Sequence, residues 1–293
     1  MPDTRYLMTS TGTWHLASGI LLILHAMKRK IFRWTKLILL LYGSIGIAVY
    51  YLQDYAMFRS VAVPRNYNYA FKEPYKDINV AFDSVSNINV IQFTTTLPCH
   101  GVVLYFHGNK KNISRYEKFA PYFTHHGYEV WMIDYPGYGK STGPLNEQRL
   151  YDYAEQLYIM AKSRFAKDSI IIYGKSLGTG IAAWLASKKD CRQLVLETPY
   201  YSMTSVANHF LPIYPMDRML HYKVPTYEYL QKVIAPITIF HGDDDGVIPY
   251  SNAQQLRPLL KATDQFITIE GGSHNNLYDF PLFRQKLDTL LTR

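Results

Sequence analysis

The chain has only two cysteines, Cys99 and Cys191, among its 293 residues. We predict that the strands following them are separated by another strand of the same sheet. The two thiols would then lie near twice the roughly 4.8 Å spacing of neighbouring strands, which is too far for a disulfide. The sequence therefore predicts two free thiols.

The sequence also lacks a complete nucleotide-binding loop. Residues 174–176 and 139–141 both read Gly-Lys-Ser, but the glycine required five positions earlier is replaced by Ser169 and by Asp134. Residues 178–183 fit the spacing of a dinucleotide fingerprint, yet their first glycine follows the predicted strand four residues too late. We therefore predict no cofactor. We also predict no metal site.

No nucleic-acid-binding motif accompanies the net charge of +8. Residues 1–36 contain six Lys or Arg and one Asp, so most of the excess charge lies in the N-terminal segment. We interpret this charge as a sign of membrane topology and predict no nucleic-acid partner.

Ser176 lies between a predicted strand at residues 170–173 and a helix-compatible stretch at residues 179–188, in the pattern Gly-Lys-Ser-Leu-Gly. A serine in this setting, with glycines two positions before and after it, is typical of a nucleophile elbow. The glycines are needed because the sharp turn leaves no room for Cβ atoms on the neighbouring strand and helix. We predict that Ser176 is a nucleophile.

An acid and a base follow Ser176 in the chain order of a hydrolase triad, each shortly after an apolar strand-like run: Asp245, then His274. Neutral His274 would accept the serine proton, while Asp245 would fix the imidazole tautomer and stabilise the imidazolium. Asp245 or His274 alone would be interpreted as an ordinary loop residue. A serine, an acid and a base in the chain order of a triad favour a catalytic site. Glu197 is the reserve candidate for the acid.

The loop after the predicted strand at residues 102–106 begins His-Gly-Asn and offers an oxyanion hole. In such sites one backbone N–H comes from this loop and the other from the residue after the nucleophile. This assigns the donors to Asn109 and Leu177. An ordinary turn is the alternative interpretation.

The order of predicted elements indicates an α/β fold with a mostly parallel sheet covered by helices on both faces. A helix with an apolar stripe is predicted over residues 113–123, and another after the cap candidate Asn146. Residues 201–233 interrupt the alternation, and we predict a lid there whose apolar side chains mostly pack and partly line an acyl pocket. The predicted strands lie at residues 77–82, 87–93, 102–106, 130–133, 170–173, 194–196, 237–240 and 267–269.

From about residue 69 onward the chain resembles the α/β-hydrolase superfamily, and more narrowly its membrane-anchored serine hydrolases related to protein depalmitoylases and lysophospholipid hydrolases. The stretches that carry the resemblance are residues 107–109, 134–141, 174–178, 197–200, 241–249 and 272–274. The resemblance implies an α/β-hydrolase domain over residues 59–293 with an eight-stranded sheet and a small helical lid. Lys110 and Lys111 depart from the small residues of the relatives, so a substrate preference tied to this loop does not transfer.

Residues 37–52 form an uncharged apolar run about 24 Å long at 1.5 Å per residue. This is short of a roughly 30 Å hydrocarbon core unless its flanks contribute, and aromatic and basic residues suited to the interface lie at both ends. We predict a transmembrane signal-anchor and junction at residues 37–58, after a basic segment at residues 1–36. No small-x-small cleavage site follows, so we expect the anchor to be retained.

Basic residues are more frequent before this run than after it, which predicts a cytoplasmic N-terminal side and an extracytoplasmic, periplasmic or lumenal, C-terminal domain. Residues 14–27 form a second, less apolar run. If it also inserts, the basic segment becomes the cytoplasmic loop of a hairpin. Met27 is an alternative start, in which case residues 1–26 are not native.

Three functions remain open from the sequence. The leading prediction is a membrane-anchored serine hydrolase that cleaves a small-molecule or lipid ester or thioester with an apolar acyl part, through an acyl-enzyme. A peptidase or amidase on the same triad is the second. The third is a non-catalytic binding protein on this fold. The sequence does not predict an oligomeric state.

Overall fold

A computed structural model describes residues 11–292, with side chains from residue 22 onward. The chain divides into two units, residues 1–53 and residues 54–293. Helix α1, Thr11–Met57, runs without interruption through the basic residues that separate the two apolar runs. A hairpin with a basic loop is therefore wrong for this structure.

The part of α1 from Leu22 to Met57 is long and apolar enough to be a candidate membrane span. It has 36 residues, and its most apolar stretch of 18 residues has a mean hydropathy of 1.6. At 1.5 Å per residue the whole segment is about 54 Å long. Apolar side chains such as Leu40 and Ile47 are more than 60% exposed to solvent. By length and composition the segment is therefore a candidate membrane span.

The second unit contains an eight-stranded sheet. Its strands are β1 Tyr75–Ala81, β2 Asn87–Phe93, β3 Gly101–Phe106, β4 Tyr128–Ile133, β5 Ile170–Lys175, β6 Gln193–Glu197, β7 Ile237–Gly242 and β8 Gln265–Ile269. Their order in the sheet is β8-β7-β6-β5-β3-β4-β2-β1. Strand β2 runs antiparallel to both of its neighbours, and the other neighbouring pairs are parallel. All eight predicted strands, and with them the predicted fold class, are confirmed.

The helices lie between the strands, as the alternation predicts. They are α2 Pro121–Thr124, α3 Glu147–Lys162, α4 Leu177–Ala186, α5 Met203–Phe210, α6 Met216–Met219, α7 Thr226–Leu230, α8 Tyr250–Gln254 and α9 Pro281–Thr292, with 3₁₀ turns at Ile113–Arg115, Glu117–Phe119, Lys167–Ser169, Arg257–Leu259 and Leu277–Asp279. The Asn146 side chain accepts a hydrogen bond from the Arg149 N–H at 2.9 Å, which confirms the cap of α3.

The single helix predicted over residues 113–123 is wrong. Two 3₁₀ turns and the one-turn helix α2 occupy this segment instead. Asp134 accepts a hydrogen bond from the Ile113 N–H at 3.0 Å, so the first turn is held from outside the segment. Pro121 then begins α2, where its missing N–H removes no bond.

Both faces of the sheet are buried, because successive side chains of a strand point to opposite faces. In β3, Val102 and Leu104 belong to the core under α3 and α4, whereas Val103 and Tyr105 belong to the core under α9. This explains why the central strands are continuously apolar and do not alternate. Helices α5, α6 and α7 fall within residues 201–233, between β6 and β7.

Candidate active site

Ser176 is the single residue between β5 and α4, and its backbone is in an unusual conformation, with φ 52° and ψ −120°. A positive φ is strained for a residue with a Cβ, and such strain persists only where the surroundings impose it. The Ser176 N–H donates to the Glu197 carbonyl at 2.9 Å, which ties the turn to the end of β6. The side chain is half-buried at the carboxyl end of the sheet.

The two glycines around Ser176 sit where no Cβ fits. A Cβ on Gly174 would lie 2.5 Å from the Gly178 carbonyl oxygen, and one on Gly178 would lie 2.0 Å from the Phe106 carbonyl oxygen. These neighbours are backbone atoms of α4 and β3, which cannot turn aside as a side chain can. The predicted steric reason for the glycine bracket is therefore found in the structure.

The structure brings Ser176, His274 and Asp245 together in one line of hydrogen bonds. His274 Nε2 is 2.8 Å from Ser176 Oγ, and His274 Nδ1 is 2.7 Å from Asp245 Oδ2. Asp245 and His274 are 5% and 8% exposed, so water has little access to the pair. With the proton on Nδ1, the Nε2 lone pair faces the serine hydroxyl, which is the arrangement needed to accept its proton.

Asp245 is held in its ionised form by its surroundings. Burial alone would raise the pKa of this carboxyl. Hydrogen bonds from His274 and from the N–H groups of Ile248 and Val247 have the larger combined effect, so the pKa lies below its ordinary value. Oδ1 accepts the two backbone bonds at 2.8 and 2.9 Å. The other oxygen, Oδ2, is left for the imidazole.

A second histidine lies beside Asp245, and the sequence pattern gave no role to it. His241 Nε2 is 3.0 Å from the Ile248 carbonyl oxygen and 3.4 Å from Asp245 Oδ2. Burial holds the pKa of His241 below its ordinary value, so the ring is neutral at pH 7. The His241 ring thus supports the loop that carries Asp245 without adding a charge there.

Glu197, the reserve candidate for the acid, is engaged elsewhere. It forms a buried ion pair with Lys175 and accepts a hydrogen bond from the Tyr173 hydroxyl at 2.7 Å. Tyr278 extends this network, with its hydroxyl 3.1 Å from that of Tyr173. The geometry therefore favours Asp245 as the partner of His274.

The two predicted oxyanion donors lie on either side of the serine, Leu177 at the first position of α4 and Asn109 in the loop after β3. Within residues 22–292 neither backbone N–H donates to a protein acceptor. The Asn109 loop is fixed by its other groups: its carbonyl accepts from Tyr138 Oη at 2.8 Å, and its Nδ2 donates to the Met57 carbonyl at 2.8 Å. Both N–H groups thus remain available for a ligand.

A cavity of ≈ 440 Å³ opens onto the serine, which is within the usual size range of small-molecule sites. Phe210 lines it, whereas Tyr214, Met216, Leu220 and Tyr222 of the same segment are buried. Phe210 and Ile213 are more than half exposed, so the packing of the apolar side chains of residues 201–233 stays a prediction. The cavity is lined by Ala56, Arg59, Gly108, Asn109, Lys110, Arg115, Tyr116, Lys175, Ser176, Phe210, Val247, His274 and Asn275.

Tyr116 and Arg59 are cavity residues that the sequence analysis missed. Tyr116 falls within the helix predicted over residues 113–123, but its hydroxyl lies 2.9 Å from where a Cβ of Gly108 would be, and its ring stacks on His107. Burial raises its pKa to about 12, so the hydroxyl keeps its proton at neutral pH. Arg59 reaches the site through a short parallel pairing of Arg59–Ser60 with Lys110–Lys111, for which the sequence carries no signal.

Comparison with known proteins gives consistent matches. The family described as alpha/beta hydrolase fold matches residues 101–221. Alpha/beta hydrolase domain-containing protein 17C of Xenopus tropicalis is 30% identical over 193 residues, which cover 64% of this chain and 59% of the relative. Alpha/beta hydrolase domain-containing protein aho-3 of Caenorhabditis elegans is 29% identical over 196 residues, covering 66% and 58%. The chain thus matches less than two thirds of the length of either relative.

Solved structures share the fold at lower identity. An esterase from Pyrococcus furiosus matches with a TM-score of 0.63 and 16% identity, over 81% of this chain and 98% of the esterase. A monoacylglycerol lipase from Paleococcus ferrophilus matches with a TM-score of 0.54 and 18% identity, over 70% and 98%. At these identities the likeness concerns the fold alone.

Proposed function

We propose that this chain is a hydrolase of the α/β-hydrolase superfamily, whose model matches residues 101–221, and that it cleaves an ester or thioester with Ser176 as the nucleophile. The observation that carries the proposal is the pair of hydrogen bonds at 2.8 and 2.7 Å that link Ser176 Oγ through His274 to Asp245. A serine, a base and a buried acid linked in this order are the groups that a serine hydrolase uses to activate its nucleophile.

The proposed reaction has two halves. His274 Nε2 accepts the proton as Ser176 Oγ attacks the acyl carbon, and the same proton then passes to the departing alcohol or thiol. The acyl group is left on Ser176 Oγ. Water then attacks it by the same route, with His274 again accepting and returning the proton, so the products are a carboxylic acid and free enzyme. The imidazolium formed in each half is stabilised by ionised Asp245.

We assign the oxyanion hole to the N–H groups of Leu177 and Asn109. Their support is that neither has another acceptor among the described residues and that both flank the serine. Loss of one such donor costs roughly 2.7–4 kcal/mol of barrier in other enzymes. The apolar surface of Phe210 and Val247 along the cavity suits an apolar acyl part.

We propose further that α1 anchors the enzyme in a membrane, with the catalytic domain outside the cytoplasm. The candidate span supports the anchor. Five basic residues precede its most apolar part, whereas Arg59 and Arg65 alone follow closely, and this asymmetry supports the orientation. Protease treatment of intact cells should digest the catalytic domain. A domain protected until the membrane is opened would reverse the orientation.

The catalytic proposal is tested by an alkyl fluorophosphonate probe on the detergent-solubilised full chain. The parent should be labelled, and Ser176→Ala should not, although its thermal unfolding is unchanged. Ser251→Ala, on an exposed serine of α8, is the matched control and should label as the parent does. Labelling retained in Ser176→Ala would refute the assignment. An unlabelled parent would favour a binding protein, and turnover of amides but not esters would favour a peptidase.

A further inference from the structure

Three of the cations that line the cavity at Ser176 have no acidic partner among the described side chains. Arg59, Lys110 and Arg115 all border it, and none of its thirteen lining residues is an Asp or Glu. Within residues 22–292 none of the three cations forms an ion pair. The fourth cation of the lining, Lys175, differs because Glu197 neutralises it.

The backbone fixes two of these cations side by side. Arg59 pairs with Lys110 in the parallel two-residue ladder, and the Arg59 N–H donates to the Asn109 carbonyl at 3.0 Å. Adjacent strands lie roughly 4.8 Å apart, so the two positive side chains start from neighbouring points. Arg115 follows in the next turn, half-buried beside Tyr116.

Like charges held this close repel one another, and a cleft of one sign concentrates ions of the opposite sign. Two guanidinium groups and an ammonium present many N–H donors in the geometry that phosphate oxygens accept. The same cavity carries apolar surface from Ala56, Phe210 and Val247. Its lining thus combines a place for an apolar chain with a place for an anion.

Building on the proposed hydrolase function, we propose that Arg59, Lys110 and Arg115 form a subsite for a phosphate group carried by the leaving alcohol of the substrate. The substrate class is an acyl ester of a phosphorylated alcohol. The acyl carbon–oxygen bond breaks and the phosphate stays on the departing alcohol, so no phosphorus–oxygen bond is cleaved. The cations bind the phosphate and do not take part in proton transfer.

The test compares two esters with the same acyl chain and the same scissile bond, decanoylglycerol 3-phosphate and decanoylglycerol, in neutral detergent micelles. The parent should favour the phosphate ester at least tenfold in kcat/KM at 50 mM salt. The triple variant Arg59→Gln, Lys110→Gln, Arg115→Gln should lower this preference at least tenfold, mainly through KM. Lys188→Gln, an exposed lysine without an ion pair, removes one charge elsewhere and should leave the preference unchanged. Raising the salt to 500 mM should weaken the parent's preference.

Equal kcat/KM for both esters in the parent, or an unchanged preference in the triple variant, would overturn the proposal. Equal kcat/KM for the two esters, together with inhibition by inorganic phosphate, would mean that the cations bind a free anion and not the substrate. A loss in the triple variant that affects both esters alike, and only in vesicles with anionic lipid, would mean that the cations bind a membrane surface.

Failure of the hydrolase proposal is distinguishable from failure of this one. If the parent cleaves neither ester and Ser176 is not labelled, the ether analogues decylglycerol 3-phosphate and decylglycerol still report binding. Tighter binding of the phosphate compound, lost in the triple variant, would support the subsite. Equal binding of both analogues would overturn it.

Discussion

Replacing Gly178 with alanine tests what holds the turn that carries Ser176, the proposed nucleophile. The added Cβ would lie 2.0 Å from the Phe106 carbonyl oxygen and 2.8 Å from that of His107. Ordinary contact begins at 3.4 Å, so α4 and β3 must separate by about 1.4 Å. Both partners are backbone atoms in a close-packed core, and overpacking of this kind costs about 1–3 kcal/mol.

The displacement also moves the groups that flank Ser176. A misplacement of roughly 1 Å costs about 100-fold in rate, so we expect a loss of that order in kcat/KM or in the rate of fluorophosphonate labelling. The stability loss should lower Tm by roughly 2–4 °C per kcal/mol for a domain of this size. Thermal unfolding and labelling kinetics on the same preparation measure both effects.

Gly246→Ala is the matched control. Gly246 adjoins Asp245 in the candidate triad loop, yet a Cβ there meets nothing within 4 Å and its φ is not positive. This variant should retain parental Tm and labelling. If Gly178→Ala also kept both, the close approach of α4 to β3 would not be what holds the serine, and the steric reasoning would be refuted.

Three further predictions concern charged and thiol groups. Asp245→Asn should lower kcat about 10⁴-fold by disfavouring the required tautomer. Because folding lowers the pKa of Asp245 below 3.8, its stabilising contribution is present above that pH and lost as the pH falls through the folded pKa, so acid unfolding of the variant should depend less steeply on pH. Glu197→Ala should lower the free energy of unfolding by about 3–5 kcal/mol, since it leaves Lys175 buried and unpaired. If Glu197→Ala lost fluorophosphonate labelling while Asp245→Asn kept it, Glu197 and not Asp245 would be the catalytic acid. If both thiols are free, a sample that is reduced before alkylation should have the same mass as one alkylated without reduction. Iodoacetamide should modify exposed Cys99 well before Cys191, because burial raises the pKa of the Cys191 thiol to about 12. Equal rates at the two thiols would contradict the burial of Cys191.

The parts of the site that sequence reasoning reached are those coded by short local patterns. The sequence predicts the placement of Ser176 because a sharp turn from strand to helix needs glycines at fixed offsets. It predicts the placement of Asp245 and His274 because each follows a strand with a continuous apolar run. Parallel strands bring their carboxyl ends to one edge of the sheet, so chain order alone predicted proximity of residues far apart in sequence. The fold followed from the same alternation of apolar strands and helices.

The parts of the candidate site and of the fold that the sequence does not predict depend on contacts between distant segments. Arg59 reaches the cavity through a two-residue ladder with Lys110, too short to have a periodicity. The segment after residue 112 has a helical apolar pattern, yet the carboxylate of Asp134 holds its first turn and Pro121 restarts it. Helix propensity is a local property, so it does not predict a hydrogen bond from a residue outside the segment, such as Asp134.

The hydrogen bond from Asn109 Nδ2 to the Met57 carbonyl has a practical consequence for protein production. A soluble version of the proposed anchored enzyme would be cut just after the apolar helix. Here a fragment starting at residue 58 or later would lose the acceptor for Asn109 and, with Ala56, part of the cavity wall. A fragment meant to report native kinetics should therefore keep the last turn of the helix and replace the apolar residues that precede it with polar ones.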